Sequence, residues 1–240
     1  GRPLVSRMEV VSSGETARAG GGRVVRLSVE DDGARYPVIV DPLVSNEVKL
    51  TPSDVDAFDG FGYSVAIAGD TVIVGARLDG DAGLFSGSAY LYQRDAGGAD
   101  NWGEVKKLTA SDADAGDQFG GAVAVEGDVA VVGADRDEDN GIESGSAYVF
   151  RYDGTAWVEE AKLTASDSAS NDYFGYWVAI DGDTALVGAV GSNGNVIDSG
   201  AAYLFRYDGV GWAQETKFTA FDGADGDFFG RSVALSGDTA

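Results

Sequence analysis

Short runs of alternating aliphatic and small residues punctuate the chain after residue 60, each bounded by Gly and Asp. In "YSVAIA" (63–68), Val65 and Ile67 fall two apart, the spacing that sets side chains on one face of a strand. Gly69-Asp70 follows as a two-residue turn, with Gly supplying the positive φ of a type II′ hairpin, and "TVIVGA" (71–76) predicts the returning strand. After an eleven-residue connection, "SAYLYQ" (88–93) predicts a third strand, repeated as "SAYVFRY" (146–152) and "AAYLFRY" (201–207). Asp153-Gly154 and Asp208-Gly209 carry the signature of type I′ turns. They lead to a fourth strand, "AWVEEAKLT" (156–164).

The wording returns at a fixed period. Phe-Gly stands at 61–62, 119–120, 174–175 and 229–230, giving spacings of 58, 55 and 55. Gly-Ala at 75–76, 133–134 and 188–189 keeps step, as do Lys49, Lys107, Lys162 and Lys217. The longer first period comes from the turn "QRDAGGADN", which leaves the strands undisturbed. Four antiparallel strands joined by tight turns, repeated every ~55 residues, describe blades of an all-β propeller, each burying its faces by stacking on its neighbours. A solenoid of stacked hairpins is the alternative arrangement. In a propeller the Phe of each Phe-Gly wedges between blades, and Gly-Ala keeps the sheet thin where blades converge.

The repeats divide as 49–106, 107–161, 162–216 and a truncated 217–240. The last copy stops inside its second strand, and closed propellers need ~4–8 blades, so the chain is expected to be part of a longer one. Residues 1–48 lie outside the period. There, strands at 23–30 and 35–40 flank Asp31-Asp32-Gly33, with a Gly/Ser-rich loop at 12–22 and a linker at 41–47. This segment is expected to be the C-terminal part of a preceding β-domain.

Phe-Gly, a β segment and Gly-Ala, together with the words "KLTASD", "GDTA" and "SGSAYVF", resemble the FG-GAP repeat of integrin α-subunit propellers across 49–240. The bacterial form of that repeat is closer still. The resemblance implies a propeller, usually of seven blades, in an extracellular or cell-surface protein. Integrin-type repeats commonly carry an Asp-x-Asn-x-Asp-Gly-x-x-Asp calcium loop between their first two strands. Here the bare turns Gly69-Asp70, Gly127-Asp128, Gly182-Asp183 and Gly237-Asp238 stand in its place, so that site does not carry over.

Composition removes whole classes of chemistry. With no Cys and no His among 240 residues, disulfides, thiolate sites, cysteine nucleophiles and His-dependent triads are excluded. The net charge is −23, and of the 17 basic and 40 acidic residues only 6 and 7 precede residue 49. A surface so acidic repels phosphate backbones, which argues against nucleic acid as a partner. No apolar run approaches the ~20 residues of a membrane span, and no basic-then-apolar leader opens the chain.

Two carboxylates recur in every copy: Asp54, Asp112, Asp167 and Asp222 seven residues before Phe, and Asp59, Asp117, Asp172 and Asp227 two before it. Each is expected to accept backbone N–H groups in a turn, with the recurrent Lys nearby; cation binding is the other reading. The connection after Gly-Ala in the second copy places Asp135, Asp137, Asp139 and Glu143 around Asn140-Gly141. That pattern suits an oxygen-rich loop for Ca²⁺ and equally a solvated acidic turn. One aliphatic persists in this connection, as Leu84, Ile142 and Ile197, and is expected to plug the blade edge. No acidic residue departs from the repeating pattern as a catalytic group would. The chain is therefore read as a non-catalytic extracellular scaffold for protein or glycan partners. A propeller module of a secreted carbohydrate-active enzyme is the alternative, since two carboxylates suffice for glycoside hydrolysis.

Overall fold

The computed structural model describes residues 6–11, 24–31, 34–38, 48–54, 56–99, 101–194 and 196–240. They fall into two units, Gly1–Lys49 and Leu50–Ala240. In the first, β1 (Ser6–Val11), β2 (Val24–Asp31) and β3 (Ala34–Val38) form an antiparallel meander in that order. The β2–β3 hairpin lies within two residues of its predicted bounds. β1 went unpredicted because only Met8 and Val10 mark a common face in its six residues. The loop at 12–22 and the linker at 41–47 lie outside the described residues.

In the second unit each repeat folds as its own four-stranded antiparallel sheet. β4 (Phe61–Ala68), β5 (Thr71–Ala76), β6 (Ser88–Arg94) and β7 (Trp102–Leu108) make the first. β8 (Ala122–Glu126), β9 (Val129–Ala134), β10 (Ser146–Tyr152) and β11 (Trp157–Leu163) make the second. β12 (Phe174–Asp181), β13 (Thr184–Ala189), β14 (Ala201–Tyr207) and β15 (Trp212–Phe218) make the third. Strands pair in sequence order, and the sheets are separate rather than one continuous ladder. These are propeller blades, not the coils of a solenoid. Residues 219–240 repeat the opening of a blade, with Phe229 bridged to Gly200 and a closed turn from Ser236 to Thr239. No helix occurs among the described residues.

Gly69, Gly127 and Gly182 open two-residue turns with φ of 55°, 52° and 55°, as a type II′ hairpin requires. The Asp-Gly turns depart from expectation. Tyr152 pairs with Trp157 and Tyr207 with Trp212, so four residues loop out instead of two. The Asp153 carboxylate accepts the N–H groups of Thr155 (2.8 Å) and Ala156 (2.9 Å) and so holds the longer turn. Tilted aromatic pairs close its base, with ring centres 5.8 Å apart for Tyr152 and Trp157 and 5.5 Å for Tyr207 and Trp212. A two-residue turn would unpair them.

Blades meet at the Phe-Gly of one and the Gly-Ala of the one before. The Phe119 N–H donates to the Ser86 carbonyl (2.9 Å), fastening the second blade to the β5–β6 connection of the first. A methyl group on Gly75 would land on the Gly120 carbonyl oxygen, and one on Gly133 or Gly188 on that of Gly175 or Gly230. Only glycine permits this approach. The buried Phe119 ring sits edge-on to Tyr148 (5.5 Å) and Phe150 (6.0 Å), in a cluster completed by Ile73, Leu91 and Leu108 of the preceding blade. Phe174 repeats this against Tyr203 and Phe205. On the first blade, Val65 and Ile67 of β4 are each 66% exposed, whereas their copies Val123 and Val125 on the second are 9% and 7%.

Two predictions follow from this packing. Phe119→Ala should lower stability by about 3–5 kcal/mol, the range for a buried Phe, while Phe221→Ala, at a residue 95% exposed, should be nearly silent; urea melts compare them. Gly133→Ala should cost about 1–3 kcal/mol through forced overpacking. Gly211→Ala, with open space at its Cα, should be neutral or slightly stabilising in the same melts.

Candidate functional site

Each blade ends in a lysine on its fourth strand, and each lysine folds back over its own blade. The Lys107 ammonium on β7 donates to Asp54 (2.6 Å), Asp79 (2.9 Å) and Asp81 (2.5 Å). Lys162 on β11 donates to Asp112 (2.7 Å), Asp137 (2.8 Å) and Asp139 (2.5 Å). A tyrosine on the third strand completes each cage. The Tyr90 hydroxyl bridges Asp54 (2.9 Å) and Asp79 (2.8 Å), and Tyr148 bridges Asp112 (2.8 Å) and Asp137 (2.7 Å). The ammonium lies 5.2 Å from the centre of that tyrosine ring in all three blades, within cation–π range.

Sequence-local geometry presents the carboxylates. Asp79 accepts the N–H of Asp81 (3.1 Å), and Asp137 that of Asp139 (3.0 Å), short turns that point the acidic pair into the cage. Asp54 and Asp112 arrive from the segment entering the blade. Each cage thus ties the start of a blade, its second-to-third-strand connection and its last strand together. In the third blade the connection supplies no carboxylate. Lys217 on β15 donates to Asp167 (2.7 Å), the Ser192 hydroxyl (3.2 Å) and the Asn193 carbonyl (3.2 Å). The Tyr203 hydroxyl still donates to Asp167 (2.9 Å).

Of the residues predicted to share a cation, the structure brings together Asp137 and Asp139, joined by Asp112, and places Asp135 and Glu143 elsewhere. A turn closed by the Asp137 N–H on the Ala134 carbonyl (3.2 Å) reverses the chain and parts Asp135 from Asp137. Asp135 is half-buried near Gly121. Glu143 has a φ of 49°, pairs with Arg136 and accepts a hydrogen bond from the Tyr173 hydroxyl (2.6 Å) of the next blade. Among the described residues, the acidic triads whose oxygens lie within 4.8 Å of one another are Asp54, Asp79 and Asp81, and Asp112, Asp137 and Asp139.

The two recurrent aspartate series have different tasks. The one two residues before Phe does cap a turn: Asp59, Asp117, Asp172 and Asp227 accept the N–H three residues upstream at 2.8, 2.7, 2.8 and 2.7 Å. The one seven before Phe serves lysine and tyrosine instead, as Asp54, Asp112 and Asp167. The signal for this was the lysine recurring in step with the aspartates; the tyrosine inside "SAYVF" looked like an ordinary strand residue. Leu84, Ile142 and Ile197 do not plug the blade edge, for they are 69%, 64% and 66% exposed. Docking there is done by backbone: the Phe85 and Ile142 carbonyls accept the N–H groups of Gln118 and Asn171.

Charge in the cages is mutually supported. Burial opposes the charge on Lys107, Lys162 and Lys217, but their hydrogen bonds to carboxylates more than offset it and raise each ammonium above its usual pKa. Burial likewise works against Asp54, Asp112 and Asp167, yet bonds from lysine and tyrosine hold all three below the usual carboxylate range. Asp117 lies beside this system without a cation of its own. Burial pushes its carboxyl up to about 6, against the opposing bond from the Asp114 N–H.

Carboxylates are ligands of the kind Ca²⁺ takes, so the acidic clusters have the chemistry to hold a metal. Ca²⁺, however, needs about six to eight oxygens around it, and the point on which three carboxylates converge here carries the ammonium. As they stand, the cages fit lysine rather than a divalent ion.

The recurring sequence matches one family. The sequence pattern of the FG-GAP repeat fits residues 44–92, 102–150, 157–205 and 212–240, most of the chain. The chain belongs to the FG-GAP repeat family, and its second unit is built of β-propeller blades. No curated protein matches it. Among solved structures, the crystal structure of Saccharomyces cerevisiae Sqt1 is similar at 12% identity and a TM-score of 0.41, over 70% of this chain and 38% of that one. A likeness that low has no bearing on function.

The cages make two predictions. Tyr148→Phe removes the single proton shared between Asp112 and Asp137 and should cost about 1–3 kcal/mol, with Tyr63→Phe, at an exposed position, as the silent control. For Asp117, the folded-state pKa of about 6 exceeds the ordinary 3.8, so the folded protein binds the proton more tightly. Its contribution to stability falls as pH rises from about 4 to 6 and is unfavourable above. Asp117→Asn should therefore raise the melting temperature at pH 7, and the gap between the two proteins should close by pH 4.

Proposed function

We propose that this chain is a non-catalytic scaffold that presents blade-edge loops to a protein or glycan partner outside the cell. The observation that carries this reading is the set of aliphatic tips, Leu84, Ile142 and Ile197, kept aliphatic in three successive copies of the connection yet exposed in all three. They sit on a backbone fixed at both ends, and rigid scaffolds with variable loops are a common design for recognition. In the first blade a cleft of about 490 Å³ adjoins such a tip, lined by Phe58, Leu78, Leu84 and Phe85 together with acidic side chains. Phe58 there is 89% exposed.

The same reading accounts for the carboxylates. Those of the three complete blades that recur are engaged in turns and cages, leaving none singled out for chemistry. The acidic surface argues against nucleic acid. Among the described residues no helix is long and apolar enough to cross a membrane, and the extracellular setting rests on the family alone. Calcium support, common for repeats of this family, is available to the clusters only in competition with lysine.

The test is binding of immobilised extracellular-matrix proteins and arrayed glycans by the wild-type chain and by a triple variant, Leu84→Ser, Ile142→Ser and Ile197→Ser. The variant should melt within about 1 °C of wild type, because exposed positions contribute little, and should lose at least about tenfold in affinity, roughly 1.4 kcal/mol. Equal binding by both would remove the tips from the site. Polysaccharide hydrolysis by the wild type, abolished by changing one acidic residue, would replace this reading with the enzyme module.

A further inference from the structure

We propose that Lys107 and Lys162 are the resident cations of the first two blades, occupying the place a divalent ion would take and making these repeats independent of calcium. The geometry is specific. Each ammonium has three donors, and each meets three carboxylates at 2.5–2.9 Å, with a tyrosine hydroxyl bridging two of the three acids. An ammonium needs about three acceptors, whereas Ca²⁺ needs at least about six oxygens. Three carboxylates match the three ammonium donors one to one, whereas Ca²⁺ in the same place would need them bidentate or its shell completed by water.

The third blade supplies an independent observation. If the carboxylate triad were the element preserved for an ion, the loss of two of its members would remove the reason for the rest. Ser192 replaces the buried aspartate, and the remaining acceptor comes from the Asn193 backbone, yet Lys217, Tyr203 and Asp167 keep their positions and bonds. Lysine is the constant, and the number of acids varies around it. The second carboxylate pair therefore strengthens a lysine cage and does not define a metal site. Exchange of ammonium for ion would also require Lys162 to swing out, leaving a buried Asp137 (3% exposed) with the Tyr148 hydroxyl and the Asp139 N–H but no positive charge until the ion arrived.

The proposal is separate from the binding role of the loops and is tested on the full 240-residue chain. Thermal melts are recorded in EDTA and in millimolar CaCl₂, and Tb³⁺ luminescence sensitised through Tyr148 reports occupancy of the cage. Wild type should melt at the same temperature in both conditions and give no saturable Tb³⁺ signal that depends on Asp137 and Asp139. Lys162→Ala should melt at least about 4 °C lower in EDTA, recover part of that loss in Ca²⁺ as binding to the native state requires, and acquire the saturable signal. Lys217→Ala, with one acid in its cage, should lose stability without gaining any response to calcium. A wild-type calcium shift removed by Asp137→Asn with Asp139→Asn would overturn the proposal. So would a folded Lys162→Ala protein that equals wild type in EDTA or ignores calcium. If Lys162→Ala does not fold, the wild-type Tb³⁺ titration against that double variant decides between the same two outcomes.

Discussion

The contact on which the blades depend is between main chains, joined at the first seam by the Ser64 hydroxyl, which donates to the Gly120 carbonyl (2.7 Å). At Gly75, Gly133 and Gly188 the α-carbon of one blade lies against the carbonyl of the next blade's Phe-Gly, with room for hydrogen and nothing larger. That approach lets the Phe119 and Phe174 N–H groups reach the Ser86 and Ser144 carbonyls and carries each phenylalanine into the seam. Apolar burial then supplies the energy, while the glycine contact sets the distance at which it is gained. A blade of this size has too little core to stand by itself, so the seam is also what makes the repeat a folding unit.

The polar counterpart is the lysine cage. Three carboxylates drawn within 4.8 Å of one another repel strongly where water is partly excluded, and a single ammonium with a tyrosine hydroxyl offsets that repulsion from inside the blade. Partly buried ion pairs of this sort bring large opposing terms and a modest net gain. Their value here is positional: Lys107 and Lys162 bind the entering segment, the long connection and the last strand of one blade to a common point. With its ends held, the connection is free to vary in its exposed middle, where Leu84 and Ile142 stand.

Most of the fold was legible because its determinants are local. Alternation at period two, Gly-Asp turns and a recurrence of 55 to 58 residues fixed strand order and blade count without any knowledge of distance. Errors arose where a local signal was outvoted. Asp153-Gly154 has the dipeptide of a tight turn, but Tyr152 and Trp157 pair across the hairpin with their rings in contact and leave four residues between them. Leu84, Ile142 and Ile197 look like core by composition, and nothing in a single sequence reveals that the backbone beside them does the docking.

The candidate site divides along the same line. The sequence by itself determined that acids, lysine and Phe-Gly recur in step and that His or Cys chemistry has no part in the site. Only the tertiary structure decided which acids meet. Asp137 and Asp139 are six residues from Asp135 and Glu143 at most, yet they face Asp112, 25 residues upstream of Asp137, and Lys162, 25 downstream of it. A turn at Ala134–Asp137 rotates neighbours in the chain away from one another, while the antiparallel sheet brings the two ends of the blade together. Spacing along a chain reports direction only within a regular strand; beyond its end, the partner of a charge is whichever group the packed sheet carries to within 3 Å of it.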